Sequence, residues 1–211
     1  MRRCIMMCSM ILLLIRSFAQ IIPDQSTLMA HSPAIFQAKF RTTKGDFTIE
    51  VNREWSPAGA DRLYQLLMTG FYNDDALFRV QKDYVVQFGI GNLKEINFFW
   101  DKRPIPDEPV KTSNLKGMIS FARDGMNSRT AQLFINLKDN FKLDTVHYNG
   151  LEGFPPIGRV ISGFEVIESL FAEYGFEPAN HQDSVMFYGN SYWKTKFPEL
   201  DYIIEAKIIG E

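Results

Sequence analysis

Between Leu77 and Gly89 the chain sets one arginine, one aromatic and one glutamine into an otherwise apolar, strand-like run: Arg79, Tyr84 and Gln87, at spacings of five and three. Residues two apart share a face of a pleated strand, so odd spacings reach one surface only across a turn or bulge. Gln81-Lys82-Asp83 supplies a polar break. The expected arrangement is two short strands around a tight loop, with Arg79, Tyr84 and Gln87 converging on an apolar surface. Arginine is always charged and donates through a rigid planar fork, so such a surface offers directed hydrogen-bond donation. A second block, Phe121 to Ile135, holds Ala122, Arg123, Gln132 and Phe134.

Other chemistries find less support. His31, His147 and His181 show no metal-ligand spacing, so no metal is expected. No nucleophile motif supports a Ser-His-Asp triad. Both cysteines, Cys4 and Cys8, lie in the first twenty residues, where Arg2 and Arg3 precede the apolar run Ile5 to Ile15 and then Ser17-Phe18-Ala19. That order reads as a secretory signal cleaved after Ala19, or as an anchor if cleavage fails, and the run is too short to span a bilayer. Removing residues 1–19 takes three arginines and no acids, moving the formal charge from −2 to −5. The mature protein, secreted or periplasmic on this reading, would hold no cysteine and so no disulfide. Lys111, Lys116, Arg123 and Arg129 are separate charges, and nothing in the balance suggests nucleic acid.

Several elements must position the candidate residues. Residues 20–34 carry Pro23, Asp24, Ser26, Ser32 and Pro33 and read as a linker. A domain is expected over 35–211. Residues 36–51 alternate around Lys44-Gly45 as a hairpin, with Phe47, Ile49 and Val51 on one face. Ser56-Pro57 opens a helix as N-cap and first helical residue. Its stripe is Leu63, Tyr64, Leu67 and Met68, and Gly70 closes it. A second helix is expected from Gly163 or Phe164 to Phe171, and a last strand from Tyr202 to Ile209. Hairpin, helix, strands, helix and final strand suit a barrel with a helix over each end, although spacing does not separate this from other α+β folds.

Taken together, these blocks resemble the cyclophilins, the peptidyl-prolyl cis–trans isomerases. The likeness runs over residues 36–172 and the final strand, and includes Thr43-Lys44-Gly45-Asp46, Gly70-Phe71-Tyr72 and Gly158-Arg159-Val160-Ile161-Ser162-Gly163. The 197–203 segment is similar to a bacterial, secreted or periplasmic subgroup. The resemblance implies a mainly β fold: a closed antiparallel eight-stranded barrel capped by two helices, with insertions near 145–156 and 173–200. It implies a monomeric rotamase that needs no cofactor and assists the folding of exported, proline-containing polypeptides. Arg79 matches the catalytic arginine and Gln87 the glutamine that orients it. Tyr84, Val85, Phe134 and Leu143 match the proline socket, with Tyr84 in place of Phe and Val85 in place of Met. Backbone near Ala122 and Arg123 would hold the residues before proline, Gln132 joins the set, and the pocket histidine aligns near Phe154.

Departures from the family pattern are specific. Lys142 replaces the tryptophan of many eukaryotic members, so weak inhibition by cyclosporin is expected. Gln87-Phe88-Gly89-Ile90 stands where Gln-Gly-Gly-Asp is usual. Arg123 replaces asparagine and either favours acidic substrates or faces solvent. Each residue also has an ordinary reading: Arg79 as half of an ion pair, Phe134 as core, Gln87 and Gln132 as buried amides. The ordered set outweighs these. Two other functions stay open, a proline-motif binding module with little turnover and a chaperone that uses residues 173–200 as a contact surface.

Overall fold

The computed structural model of the protein describes residues 20–148 and 150–210. The signal-like segment 1–19 lies outside the described residues. In chain order, α1 (Gln25–Leu28) precedes the hairpin β1 (Ile35–Thr42) and β2 (Gly45–Asn52). The hairpin pairs in unbroken register from Ile35 opposite Asn52 to Thr42 opposite Gly45. Strict alternation therefore turns Phe47, Ile49 and Val51 inward beside Phe36, Ala38 and Phe40, all of them buried. α2 (Pro57–Met68) follows, and Leu63 and Leu67 bury as expected, whereas Met68 is exposed.

The start of α2 differs from its expected cap. Ser56 makes no side-chain bond to the helix; its hydroxyl instead donates to Glu108. The Glu108 carboxylate accepts from Ala58 N–H at 2.8 Å and Gly59 N–H at 3.3 Å, so an acid from a distant loop satisfies the free amides of the first turn. Arg129, fully buried, pairs with Glu108 at 2.9 Å and balances that charge. Residues 20–34, read as a linker, run along α2. Gln65 Nε2 donates to Leu28 and Ala30 carbonyls at 3.0 Å, and Asp61 accepts from His31, Ser32 and Arg53.

Next come β3 (Asp75–Ala76), β4 (Arg79–Gln81), β5 (Val85–Phe88), α3 (Lys94–Asp101), β6 (Met118–Phe121) and β7 (Leu133–Asn136). After them stand α4 (Lys142–Thr145), the short pair β8 (His147–Tyr148) and β9 (Leu151–Glu152), β10 (Pro156–Ser162) and α5 (Phe164–Glu168). The chain ends with α6 (Gln182–Tyr188), α7 (Asn190–Lys196) and β11 (Tyr202–Gly210). α2 packs against β11 and β10, and α5 against β2, as the two expected capping helices. Between them lies one core rich in phenylalanine, where Phe40 stacks on Phe47 at 4.9 Å and meets Tyr72 and Phe88.

The expected closed eight-stranded barrel is instead a nine-stranded curled sheet, in the order β3-β11-β1-β2-β10-β6-β7-β5-β4. Its two edges, β3 and β4, are consecutive in sequence and joined by Leu77-Phe78. The curl comes round through the chain itself rather than through a ladder. These two linking residues bury into different clusters, Leu77 into the main core and Phe78 into a second one.

That second cluster is built by the 173–200 insertion. Ala179, Val185, Trp193, Phe197 and Leu200 pack on Ala76, Phe78 and Ile90, and Phe78 stacks on Trp193 at 5.8 Å. The segment is helical, with a 3₁₀ turn over Glu177–His181 before α6 and α7. Gly189 separates these two helices at φ 58°, and a Cβ there would collide with the Asn92 carbonyl. α3 is a further helix without a sequence expectation; it buries Ile96, Asn97 and Trp100.

Candidate active site

β4 and β5 pair so that Arg79 stands opposite Gln87, with the turn between them at Lys82–Tyr84 and Asp83 in the left-handed region at φ 58°. Directly opposite residues of a hairpin share a face, so this pairing brings the two side chains together. Arg79 Nη1 donates to Gln87 Oε1 at 2.9 Å. Its Nε and Nη2 both donate to Gln81 Oε1, at 2.8 and 2.5 Å. A guanidinium carries five N–H donors. Three are engaged, so two stay available to a substrate. Burial pushes the Arg79 pKa down, with the nearby Tyr84 opposing, and the group remains a cation. The Tyr84 ring lies 5.6 Å from the guanidinium carbon.

Arg79 stands at the lip of a cavity of about 160 Å³ lined by Tyr84, Val85, Gln87, Ala122, Arg123, Phe134, Leu143 and Phe154. The apolar wall is firm. Val85 and Phe134 are buried on strands β5 and β7, which pair directly. Phe154 meets Phe134 edge to face at 5.7 Å. Its amide donates to the Leu143 carbonyl at 2.8 Å, and buried Asn114 donates to the Phe154 carbonyl and to Asp144. Asn114 thus ties α4, which bears Leu143, to the loop that bears Phe154.

The cavity gathers every residue expected of the site except Gln132. That side chain stands one step back, its Oε1 accepting from Gln87 Nε2 at 2.9 Å, and it lines a neighbouring polar cleft with Asp101, Ser128 and Gln182. The Ala122 amide donates to the Gln132 carbonyl at 2.9 Å and is therefore committed within the protein.

Arg123 corrects an expectation. Its side chain neither meets solvent nor faces the cavity with free charge, being only 1% exposed. It pairs with Asp107 at 2.5 Å and donates to the carbonyls of Glu152, at 2.9 Å, and Gly153. Its guanidinium carbon also sits 5.4 Å from the Phe154 ring. Buried charge is tolerable only when paired and hydrogen-bonded, and here that pairing fastens the loop behind Phe154.

Three further residues belong to the site and were not expected. Gln81 holds Arg79 from two residues away on the same strand, a spacing that puts both on one face. From the 173–200 insertion, Phe176 lays its ring 4.8 Å from the Arg79 guanidinium carbon, and Gln182 Oε1 accepts from Gln132 Nε2 at 2.8 Å.

The family model for cyclophilin type peptidyl-prolyl cis-trans isomerase/CLD matches residues 37–184. This chain belongs to the cyclophilins. It is 31% identical over 138 residues to peptidyl-prolyl cis-trans isomerase cypE of Dictyostelium discoideum, a stretch covering 63% of this chain and 82% of the relative. It is 26% identical over 178 residues to peptidyl-prolyl cis-trans isomerase B of Escherichia coli, covering 82% of this chain and 98% of that one. A crystal structure of a cyclophilin type isomerase of Cryptosporidium parvum superposes with a TM-score of 0.61 at 17% identity, covering 84% of this chain and 99% of that one. The fold is thus the cyclophilin fold, and the family activity is prolyl isomerisation. A bacterial affinity is consistent with the relative from Escherichia coli.

Proposed function

We propose that Arg79 carries the isomerase reaction by donating to the nitrogen of a twisted X-Pro amide, while the apolar cavity holds the proline ring. The peptide bond resists rotation by about 18–20 kcal/mol because resonance makes it partly double. On twisting, the nitrogen becomes pyramidal and gains a lone pair that the planar amide lacks. A donor aimed there binds the transition state better than either ground state, which lowers the barrier without nucleophile, acid or base. The observation that carries this reading is the Arg79 guanidinium, held by Gln81 and Gln87, with two N–H groups uncommitted beside a socket of Val85, Phe134, Leu143 and Phe154.

Socket and donor divide the work. Burial of the ring orders the substrate, and Gln87 orients the arginine. A dry wall strengthens the donor's field by excluding water. The substrates on this reading are proline-containing polypeptides. A related Cryptosporidium parvum structure was determined in the presence of the dipeptide Ala-Pro, at a TM-score of 0.60. The charge, apolar run and small-x-Ala order of residues 2–19 support export, and with it exported clients. N-terminal sequencing of the protein from cells should read Gln20 first; Met1 there would remove that part of the reading.

The test is the cis-to-trans rate of an Ala-Pro-Phe peptide with the protein and with Arg79→Ala. A loss of about 10²–10³ in the variant is expected, the scale of one preorganised donor. Acceleration untouched by the substitution overturns the arginine mechanism. A folded parent without acceleration leaves a proline-binding module.

A further inference from the structure

We propose that the 173–200 insertion positions the reactive arginine, through Gln182 at the end of an amide chain and Phe176 on the guanidinium face. The proposal rests on the reading of Arg79 given above and makes neither residue a contact of the substrate.

Four side chains run in a line: Arg79 Nη1 donates to Gln87 Oε1 at 2.9 Å, Gln87 Nε2 to Gln132 Oε1 at 2.9 Å, Gln132 Nε2 to Gln182 Oε1 at 2.8 Å, and Gln182 Nε2 to the Ala179 carbonyl at 3.0 Å. Each glutamine can in principle be turned over, exchanging its oxygen for its NH₂. The two ends forbid it. Arginine only donates, and a backbone carbonyl only accepts. The Ala179 carbonyl thus fixes Gln182, which fixes Gln132, which fixes Gln87 with its oxygen toward Arg79. Without the Gln182 end the orientation is held from the Arg79 end alone, and a turned Gln132, which sets its NH₂ against that of Gln87, costs less to reach. Gln87 then turns its own NH₂ toward the guanidinium, donor against donor, and Arg79 loses its brace.

The insertion is rigid enough for this task. Ala179 lies in the second apolar cluster with Trp193 and Phe197, and that cluster includes Phe78, the residue just before Arg79 and the start of β4. Phe176 precedes the 3₁₀ turn and lies 4.8 Å from the guanidinium carbon, so the insertion holds the arginine both through the chain and at its face.

The experiment compares the parent, Gln182→Met, Gln182→Glu and Phe176→Leu, using peptide turnover and the hydrogen exchange of the Arg79 Nε–H signal by NMR. Methionine keeps length and packing but cannot anchor the chain, so kcat is expected to fall about threefold to tenfold, the scale of one hydrogen bond, with KM and Tm close to the parent. Glutamate still accepts from Gln132, so Gln182→Glu should recover most of the rate. In a Gln87→Leu background Gln182→Met should add nothing, because the chain is already cut. Phe176→Leu should speed Arg79 exchange and lower kcat about threefold. Equal effects of Gln182→Met with and without Gln87, or unchanged Arg79 exchange in both insertion variants, overturn the proposal. A parent that does not turn over peptide removes the isomerase reading, while faster Arg79 exchange in Gln182→Met would still establish the positioning.

Discussion

Residues 145–156 reach the proline socket as a short strand pair pinned by a buried charge, whereas residues 173–200 reach the arginine as helices that bury an aromatic cluster of their own. None of the first segment's described residues joins either apolar cluster. It is held by the barrel: Arg123 grips the Glu152 and Gly153 carbonyls, and Asn114 grips Phe154. Gly153 makes the close approach possible, at φ 59° where a Cβ would strike the Asp144 carbonyl. The second segment brings Trp193, Val185, Phe197 and Leu200 and packs them on Phe78. One loop is positioned by pairing and the other by burial. Both end on the same site, one setting the socket wall and the other the arginine.

The largest expected effect comes from breaking the buried segment. Trp193→Ala should cost about 3–5 kcal/mol, because it empties the stack on Phe78 and the centre of the cluster. In a protein of this size that is a Tm fall of roughly 10 °C by calorimetry. Unchanged stability would mean the insertion does not depend on its cluster. Breaking the charged tether should cost less, since Asp107 keeps 27% of its side-chain surface and water can replace part of the loss. Arg123→Met is expected to lower stability by about 2 kcal/mol. It should also raise KM for the peptide several-fold with kcat little changed, because the Phe154 wall loosens while Arg79 does not. A drop confined to kcat would place Arg123 in the arginine's support instead.

The amino-terminal strap extends the comparison to acid. Burial pushes the Asp61 carboxyl up, but hydrogen bonds from Arg53, His31 and Ser32 outweigh it and hold its pKa at about 2, below the ordinary 3.8. A depressed folded pKa contributes stability that is present above the unfolded value and lost as pH falls through the folded one. Unfolding monitored between pH 4 and 2 should therefore lose an Asp61-dependent part of its stability, and Asp61→Asn should flatten that portion of the curve. The smallest effect is expected at Gln81. Gln81→Leu removes one acceptor of Arg79 and leaves Gln87, so kcat should fall about threefold at constant stability. A loss as large as that of Arg79→Ala would make Gln81 the main brace.

Much of the barrel was legible because its signals are periodic. Strict alternation announced the hairpin of Phe47, Ile49 and Val51, and Pro57 and Gly70 bracketed α2. The Arg79–Gln87 convergence was expected from the polar turn at Gln81-Lys82-Asp83 between them, and the structure sets the two residues opposite each other. What escaped has physical causes. α3 has Leu93 at its N-cap, which offers no capping side chain, and its aromatic run Phe98-Phe99-Trp100 suits a strand equally well; the i, i+4 pair Ile96 and Trp100 was the available signal. Arg123 and Arg129 carry charges that composition places at the surface, and only pairing across the fold buries them. Phe176 and Gln182 lie about a hundred residues from Arg79, so no local pattern could join them. Gln81 was visible through its i+2 spacing but was read only as part of the turn.

The central claim is that the guanidinium fork of Arg79, and not merely a positive charge, stabilises the twisted amide. The most direct test is kcat/KM for cis-to-trans conversion of the Ala-Pro-Phe peptide in Arg79→Lys beside Arg79→Ala. Lysine keeps the charge but is a point donor that cannot be braced by Gln81 and Gln87 while aiming at the amide. The expected result is that Arg79→Lys loses nearly as much as Arg79→Ala, about 10²-fold or more. A lysine variant that works as well as the parent would contradict the account.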